Sequence, residues 1–307
     1  MLKRILFAGA ALLTTGAVAF ATQTLDGSTT LKEVVQDSIT GAVTAGVVQP
    51  GALAYMPQGS GFGAAALVNG TQGIAPMSRD VSDSEAAAIA ANGNTLVRHV
   101  IGLDGVSAYV RTDASIQGIS KAALIAMYAG ADGTGTNGTA PGQCQGPDRI
   151  TDWSQVPGSG KSGPVIALRR DDSSGTTDAF KNLVGIKAFC ADVQLIPEAD
   201  ACEHATTDGF GGFDPSRTTC YAGLGSLLPG VNQALSVCAN DMTGCVAPSQ
   251  STVLDFSYPL TRRLYLNEVL EQGSDDEHAL RDWMLVDSNI NPIITAHEFV
   301  ACYPNCP

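Results

Sequence analysis

Short apolar, strand-like runs alternate with helix-like segments along most of this chain, and that alternation limits its fold more than any other feature. It is typical of α/β layers in which helices cover mostly parallel sheets. Strands are predicted at residues 73–76, 96–103, 106–111 and 165–168. Helices are predicted at residues 31–43, 82–91, 119–129 and 176–184. The 307 residues, 44% of them hydrophobic, suffice for two cores, so two lobes are expected.

The first 21 residues have the pattern of a secretory signal peptide. Lys3 and Arg4 give a basic start, residues 5–13 form a short apolar run, and Ala19 and Ala21 flank the small-x-small pattern that signal peptidase cuts after. No later stretch has the roughly 20 apolar residues that a membrane span needs. We therefore expect cleavage after residue 21 and export of a soluble protein to the periplasm or the extracellular space.

Eight cysteines, all beyond residue 140, indicate structural disulfides because their number is even and the chain is expected to be exported. Zinc is the rival interpretation, but the chain has no CxxC pair and its four histidines form no cluster with ligand spacing. The spacing leaves the pairing open. Two regions rich in loops are predicted at residues 130–163 and 205–226, and disulfides could staple the second. The cysteines are Cys144, Cys190, Cys202, Cys220, Cys238, Cys245, Cys302 and Cys306.

The chain is acidic, and loss of Lys3 and Arg4 with the signal lowers its formal net charge from −13 to −15. Such a field disfavours binding to nucleic acid or to an anionic membrane surface. An anionic ligand would have to be held by short-range hydrogen bonds from fixed donors, because the charge of the whole molecule opposes its approach.

Three segments place Gly, Ser and Thr directly before a helix-like run: residues 26–31, 59–63 and 173–177. The first turn of a helix leaves backbone N–H groups without partners, and its dipole favours negative charge. Glycine admits a ligand close to the backbone, and the hydroxyl groups add donors. Each segment alone is also compatible with an ordinary helix cap, but three in one chain favour an anion site.

Arginines stand close to two of these features. Arg169 and Arg170 precede the third segment, and Asp172 could hold Arg170 in place. Arg79 follows Ser78 after an apolar run. Because a guanidinium meets oxyanion oxygens in a bidentate fork, these arginines are candidate ligands, although a surface Arg–Asp pair is the simpler alternative.

An ordered set of motifs resembles the phosphate-binding proteins of bacterial phosphate ABC transporters. The resemblance covers nearly the whole mature chain, and its most specific part is the Arg-x-x-Ser-Ser-Gly-Thr motif. The motifs lie at residues 27–30, 59–63, 78–79, 104–106, 153–154, 170–176 and 258–262.

The resemblance implies a two-lobed periplasmic binding protein fold of type II, with a hinge and a ligand cleft between the lobes. Lobe I would comprise residues 22–102 and 257–307. Lobe II would comprise residues 103–256 and carry a cysteine-rich insertion between about 190 and 245, which matches nothing in the family.

The function implied is high-affinity binding of inorganic phosphate in the periplasm and its delivery to the permease subunits of an ABC importer. A monomer without cofactor, metal or catalytic residue is expected. Some relatives carry an aspartate where Ser78 and Arg79 stand, and that aspartate accepts the proton of hydrogen phosphate, so Arg79 puts the rejection of sulfate in question. The implied phosphate ligands are Thr29, Thr30, Ser60, Ser78, Arg79, Arg170, Ser174, Gly175 and Thr176, with Asp172 behind them.

Two alternatives stay open at this point. A secreted phosphatase or esterase could use Ser60 or Ser174 as its nucleophile, but Ser60 directly follows Gly59 and so does not fit Gly-x-Ser-x-Gly. The second alternative is a binding protein for another tetrahedral oxyanion.

Overall fold

The structure is a computed structural model. It describes residues 22–112, 115–170, 175–196, 202, 206, 212–239 and 243–307. The predicted signal peptide, Asp172 and Ser174 therefore lie outside the described residues. In the part of the chain that is described, no helix is long and apolar enough to cross a bilayer.

Strands and helices alternate, and the α/β prediction is confirmed. The strands are β1 Gln23–Asp26, β2 Leu53–Met56, β3 Ile74–Met77, β4 Leu96–Arg111, β5 Gly118–Ser120, β6 Ile166–Arg170, β7 Gln194–Ile196, β8 Thr218–Gly223, β9 Asn232–Ala234, β10 Ser236–Cys238 and β11 Thr261–Val269. The helices are α1 Lys32–Thr44, α2 Ser60–Asn69, α3 Asp83–Ala91, α4 Lys121–Tyr128, α5 Gly175–Val184, α6 Gln250–Leu254, α7 Asp275–Met284 and α8 Asp287–Ala296. Short 3-10 turns lie at Thr29–Leu31, Trp153–Gln155 and Leu224–Ser226. All four predicted helices are confirmed.

The strands of the central sheet lie in the order β3-β11-β4-β8-β6-β7, with β9 also paired to β4. The pairs that β4 and β11 make are antiparallel, whereas β6 is parallel to both its neighbours. Two small parallel pairs, β1–β2 and β5–β10, lie outside this sheet. The prediction of mostly parallel sheets is therefore wrong, because β4 and β11 build a mixed sheet.

The long strand β4 replaces two predicted strands. The Asp104-Gly105 dipeptide reads as a turn in sequence, yet Asp104 lies opposite Arg262 of β11 in the ladder. At Gly105 a Cβ would lie 2.7 Å from Val253 Cγ2, so glycine permits close packing of α6 on the strand. The predicted lobe boundary between residues 102 and 103 falls inside this strand, and the boundaries stay a prediction.

The core consists of clusters on either side of the middle of β4. One group draws on the N-terminal elements, β11 and the last two helices, as shown by Leu25, Leu266 and Ile294. The larger cluster draws on the middle of the chain, and its aromatic centre includes Phe180 and Tyr221. Each group buries the apolar faces of its own helices against its own part of the sheet, which is how one chain supports two cores.

All eight cysteines form disulfides, as the even count predicted: Cys144–Cys190, Cys202–Cys220, Cys238–Cys245 and Cys302–Cys306. Among the described residues no cluster of His, Cys, Asp and Glu has metal-site geometry. The Cys202–Cys220 bond joins a cysteine just before the predicted loop region to β8, which lies inside that region, and Cys238–Cys245 closes a short loop after β10.

Candidate functional site

Two segments that begin helical turns, together with α5, line one crevice of about 580 Å³. The segments are the 3-10 turn after β1 and the start of α2, and α5 contributes Asp178 and Asn182. Residues of α5 also lie within 8 Å of the 3-10 turn, measured between Cα atoms. We call residues 27–30, 59–63 and 78–79 the N-terminal wall. We give the name α5 wall to α5 together with Arg170, although Arg170 and Thr176 are not among the described residues that line the crevice. Thr29, Ser60, Arg79, Asp178 and Asn182 are among the residues that line the crevice.

Glycines let the parts of the N-terminal wall approach each other through their backbones. A Cβ at Gly27 would lie 2.5 Å from the carbonyl oxygen of Pro76, and one at Gly63 would lie 3.0 Å from that of Asp26. Gly59 caps α2 with a φ of 121°, which side chains of L-residues rarely allow. These contacts hold the 3-10 turn, the end of β3 and the start of α2 together.

Three buried serines form a chain of hydrogen bonds behind this wall. The Thr30 amide donates to Ser28 Oγ at 3.1 Å, and Ser28 Oγ donates to Ser78 Oγ at 2.8 Å. The Ser78 amide donates to Ser60 Oγ at 3.0 Å, and the Ser78 and Ser60 hydroxyl oxygens lie 3.3 Å apart. Ser78 Oγ accepts from Ser28 and can accept a second hydrogen bond, so either hydroxyl of the Ser60–Ser78 pair can be the donor. The chain fixes the positions of the three hydroxyl groups behind the crevice.

Thr29 and Thr30 have different surroundings. Thr29 lines the crevice itself. Thr30 lines an adjoining pocket of about 220 Å³, and Arg262 Nη2 donates to its hydroxyl oxygen at 2.9 Å. Of the predicted ligands in the N-terminal wall, the structure thus brings Thr29, Ser60 and Arg79 to one space, with Ser78 and Thr30 bonded beside it.

Arg79 lines the crevice, but most of its guanidinium is bonded to Glu85. Its two terminal nitrogens donate to the two carboxylate oxygens at 2.9 and 2.8 Å. This hydrogen bonding lowers the pKa of Glu85 to about 2 and raises the pKa of Arg79. Glu85 also completes the capping box of α3 with Ser82. The Arg79 charge is therefore largely compensated within its own wall.

Arg170 differs from Arg79 at its Nε atom. It ends β6, half-buried, and no acceptor is bonded to its buried Nε atom in the described structure. A buried donor without a partner is rare and asks for a ligand or water. The neighbouring Arg169 packs over the Phe189 ring, with its guanidinium carbon 5.2 Å from the centroid. Successive residues of a strand point to opposite faces, so the two arginines are separated.

The helix that follows Arg170 is anchored on β8. Thr177 Oγ1 and Tyr221 Oη lie 2.8 Å apart, and Phe180 stacks on Tyr221 at 4.1 Å between ring centroids. Burial raises the pKa of Tyr221 to about 12, so its phenol is neutral and serves as a fixed hydrogen-bonding group. Gly175 and Thr176, two predicted ligands, form the first residues of α5.

Sequence reasoning missed three residues of this region. Asp178 and Asn182 lie one turn apart on α5 and line the crevice. They follow Gly175 by three and seven residues, and this helical spacing could have indicated that they share one face of the helix. Arg262 stands in the motif at residues 258–262, but its contact with Thr30 spans 232 positions of sequence. Such a contact cannot be read from local spacing.

Known proteins share this architecture. The crystal structure of a possible phosphate binding protein from Planctomyces limnophilus DSM 3776 has a TM-score of 0.71 and 18% identity, over 92% of this chain and 93% of that one. An ABC-type phosphate transport receptor from Vibrio cholerae has a TM-score of 0.69 and 18% identity, over 90% of this chain and 98% of that one. At such identity the likeness shows a common fold.

A curated relative matches over a short segment. Alkaline phosphatase L of Pseudomonas aeruginosa strain UCBPP-PA14 is 49% identical over 43 residues, which is 14% of this chain. The match covers 10% of that protein's length.

The match at the level of the family is much longer. The model of a PBP superfamily domain matches residues 14–284, most of the chain. The chain belongs to the PBP superfamily.

Proposed function

We propose that this protein binds inorganic phosphate in the crevice and delivers it to the permease subunits of an ABC importer. The observation that carries the proposal is a crevice lined by two helix-start segments that are distant in sequence, residues 28–29 and 59–62, together with Arg79 and with Asp178 and Asn182 of α5. The two segments contribute amide and hydroxyl donors, which can replace much of the hydration shell of a small oxyanion.

The charge of the α5 wall supports the same ligand. A phosphate dianion loses strong hydration on burial and needs both hydrogen bonds and positive charge in return. Arg79 is occupied by Glu85, whereas Arg170 keeps a buried Nε without a partner. Arg170 is therefore the main compensating charge of the site.

The proposed ligand set is the one that the motifs imply: Thr29, Thr30, Ser60, Ser78, Arg79, Arg170, Ser174, Gly175 and Thr176, with Asp172 supporting Arg170. The contacts refine the roles within it. Ser60 and Thr29 donate directly, whereas Ser78 acts through Ser60 because its hydroxyl is bonded inside the wall.

The solved structures quoted above are named as a phosphate binding protein and a phosphate transport receptor. Their likeness to this chain supports transport as the role of the crevice. The basic and apolar start of the sequence, residues 1–21, favours export to the periplasm, where a soluble monomer would meet its membrane partner. Two lobes, residues 22–102 with 257–307 and residues 103–256, would close on the anion.

A phosphatase is the competing function, and the name of the relative from Pseudomonas aeruginosa is the observation in its favour. Hydrolysis by a serine would need a base within hydrogen-bond reach of Ser60. The described histidines are bonded elsewhere: His99 to Glu268, His278 to Gln272 and His297 to Asp37. We therefore propose a binding protein and not an enzyme.

Titration calorimetry on protein freed of phosphate by unfolding and refolding tests this function. We expect one phosphate per chain and a dissociation constant of about micromolar or lower. The same preparation should release no nitrophenol from p-nitrophenyl phosphate. Absence of phosphate binding, or turnover that Ser60→Ala abolishes, would overturn the proposal.

A further inference from the structure

Arg262 lies in the ladder of the central sheet, directly opposite Asp104. Its side chain is 8% exposed. Nε donates to Asp104 Oδ2 at 3.0 Å, Nη1 donates to the Ser78 carbonyl oxygen at 3.2 Å, and Nη2 donates to Thr30 Oγ1 at 2.9 Å. One guanidinium thus joins β4, the end of β3 and the 3-10 turn.

The charge of Arg262 is compensated inside the protein. Asp104 is as deeply buried as Arg262 and lies within ion-pair distance of it. A buried ion that lost this partner would destabilise the fold strongly. Because the pair is close to neutral as a unit, its contribution to an anion site is orientation and not net charge.

The direction of the hydrogen bond from Arg262 to Thr30 determines which way the Thr30 hydroxyl can donate. A hydroxyl group has one proton and can accept two hydrogen bonds. Thr30 Oγ1 accepts from Arg262, so its proton is free for another acceptor. Arg262 therefore biases Thr30, in the N-terminal wall, toward donating a hydrogen bond.

We propose that Arg262, held by Asp104, is a positioning residue of the anion site, an inference that rests on the proposed function. It fixes the 3-10 turn against the end of β3, so that the Thr30 proton is aligned before the ligand arrives. Such preorganisation increases affinity because less ordering remains to be done on binding. The N-terminal wall then takes the oxygens of a tetrahedral oxyanion that carry no proton.

A double-mutant cycle on phosphate affinity tests the inference. If Arg262 acts through Thr30, Arg262→Lys and Thr30→Val each weaken binding about tenfold, the effect of one hydrogen bond to a charged ligand. The double variant is then also about tenfold weaker, because both changes remove the same alignment. Thr30→Ser keeps the hydroxyl and restores affinity to within about twofold. Losses that multiply to about a hundredfold, or full affinity in Arg262→Lys, would overturn the inference.

The matched control is Arg281→Lys. Arg281 pairs with the nearly buried Glu268, which lies on β11 as Arg262 does, and neither residue lines the crevice. The Arg281→Lys variant should have a lower melting temperature than wild type and an unchanged affinity for phosphate. An equal loss of affinity in this control would show that Arg262 acts only through general stability.

If Arg262→Lys does not fold, the double variant Arg262→Met with Asp104→Leu replaces it in the test, because this exchange leaves no unpaired buried charge. It should remain folded and bind phosphate about tenfold more weakly; undiminished affinity would contradict the inference. Wild-type protein that binds no phosphate would reject the proposed function itself. Wild-type binding with an unaffected Arg262 variant would reject this inference alone.

Discussion

The two walls of the crevice differ in how their polar groups are satisfied. In the N-terminal wall, Ser28 and Ser78 are buried and bonded to other parts of the protein, including Arg262 of β11 behind the wall, and Arg79 is paired with Glu85. In the α5 wall, Arg170 keeps a buried Nε without a partner, and Asp178 lines the crevice. Under the proposed function, this difference means that the N-terminal wall sets geometry and the α5 wall supplies charge.

The largest expected effect is that of Arg170→Ala. It removes the main compensating charge and about two charge-assisted hydrogen bonds, so phosphate affinity measured by calorimetry should fall about a hundredfold or more. Arg169→Ala is the control, because Arg169 packs on Phe189. Full affinity in Arg170→Ala would show that the α5 wall does not supply the charge.

The next effect is that of Ser60→Ala on the N-terminal wall. It removes the last hydroxyl of the serine chain, and phosphate binding should weaken about tenfold. Ser84, an exposed serine bonded to Ser82, provides the control variant Ser84→Ala. A loss as large as that of Arg170→Ala would contradict the division between geometry and charge.

Asp178→Ala should alter selectivity more than affinity. Hydrogen phosphate carries one proton that needs an acceptor, and sulfate carries none. If Asp178 accepts that proton, the variant binds phosphate more weakly and sulfate more tightly, as measured by competition calorimetry. Asn182→Ala, one turn away, should leave the ratio unchanged. A gain for both anions by the same factor would mean that Asp178 only repels them.

The smallest effect concerns the pair of Arg79 and Glu85. The pKa of Glu85 is lowered from 4.5 to about 2 in the folded protein. The contribution of the ionised Glu85 to the stability of the fold is therefore complete above pH 4.5 and is lost as the pH falls toward 2. Glu85→Gln should melt at a lower temperature than wild type near pH 7, with the difference vanishing near pH 2. A difference independent of pH would show that the carboxylate charge is not involved.

Local signals were sufficient for much of the fold and for part of the site. The helix predicted from residue 82 begins as α3 with Ser82 as its cap, and the Gly-Ser-Thr turns predicted the helical starts at which Thr29 and Ser60 line the crevice, because capping acts within one helical turn. The continuity of β4 through Gly105 was missed, since the contact with Val253 that requires glycine comes from a distant segment.

The charges of the site were harder to predict than its donors. Arg79 was expected to bind the ligand, but whether an arginine is already compensated depends on the fold around it, here on Glu85. Arg262 was passed over as a ligand-site residue because Thr30 is 232 positions away. Residue type shows which groups can bind an anion, whereas tertiary contacts decide which of them are free to do so.

The most direct test of the whole account is the crystal structure of the protein grown with phosphate. The account predicts one tetrahedral anion in the crevice, within hydrogen-bond distance of Thr29, Ser60, the start of α5 and the Arg170 guanidinium. An anion bound away from these groups, or a crevice that stays without one at saturating phosphate, would contradict it.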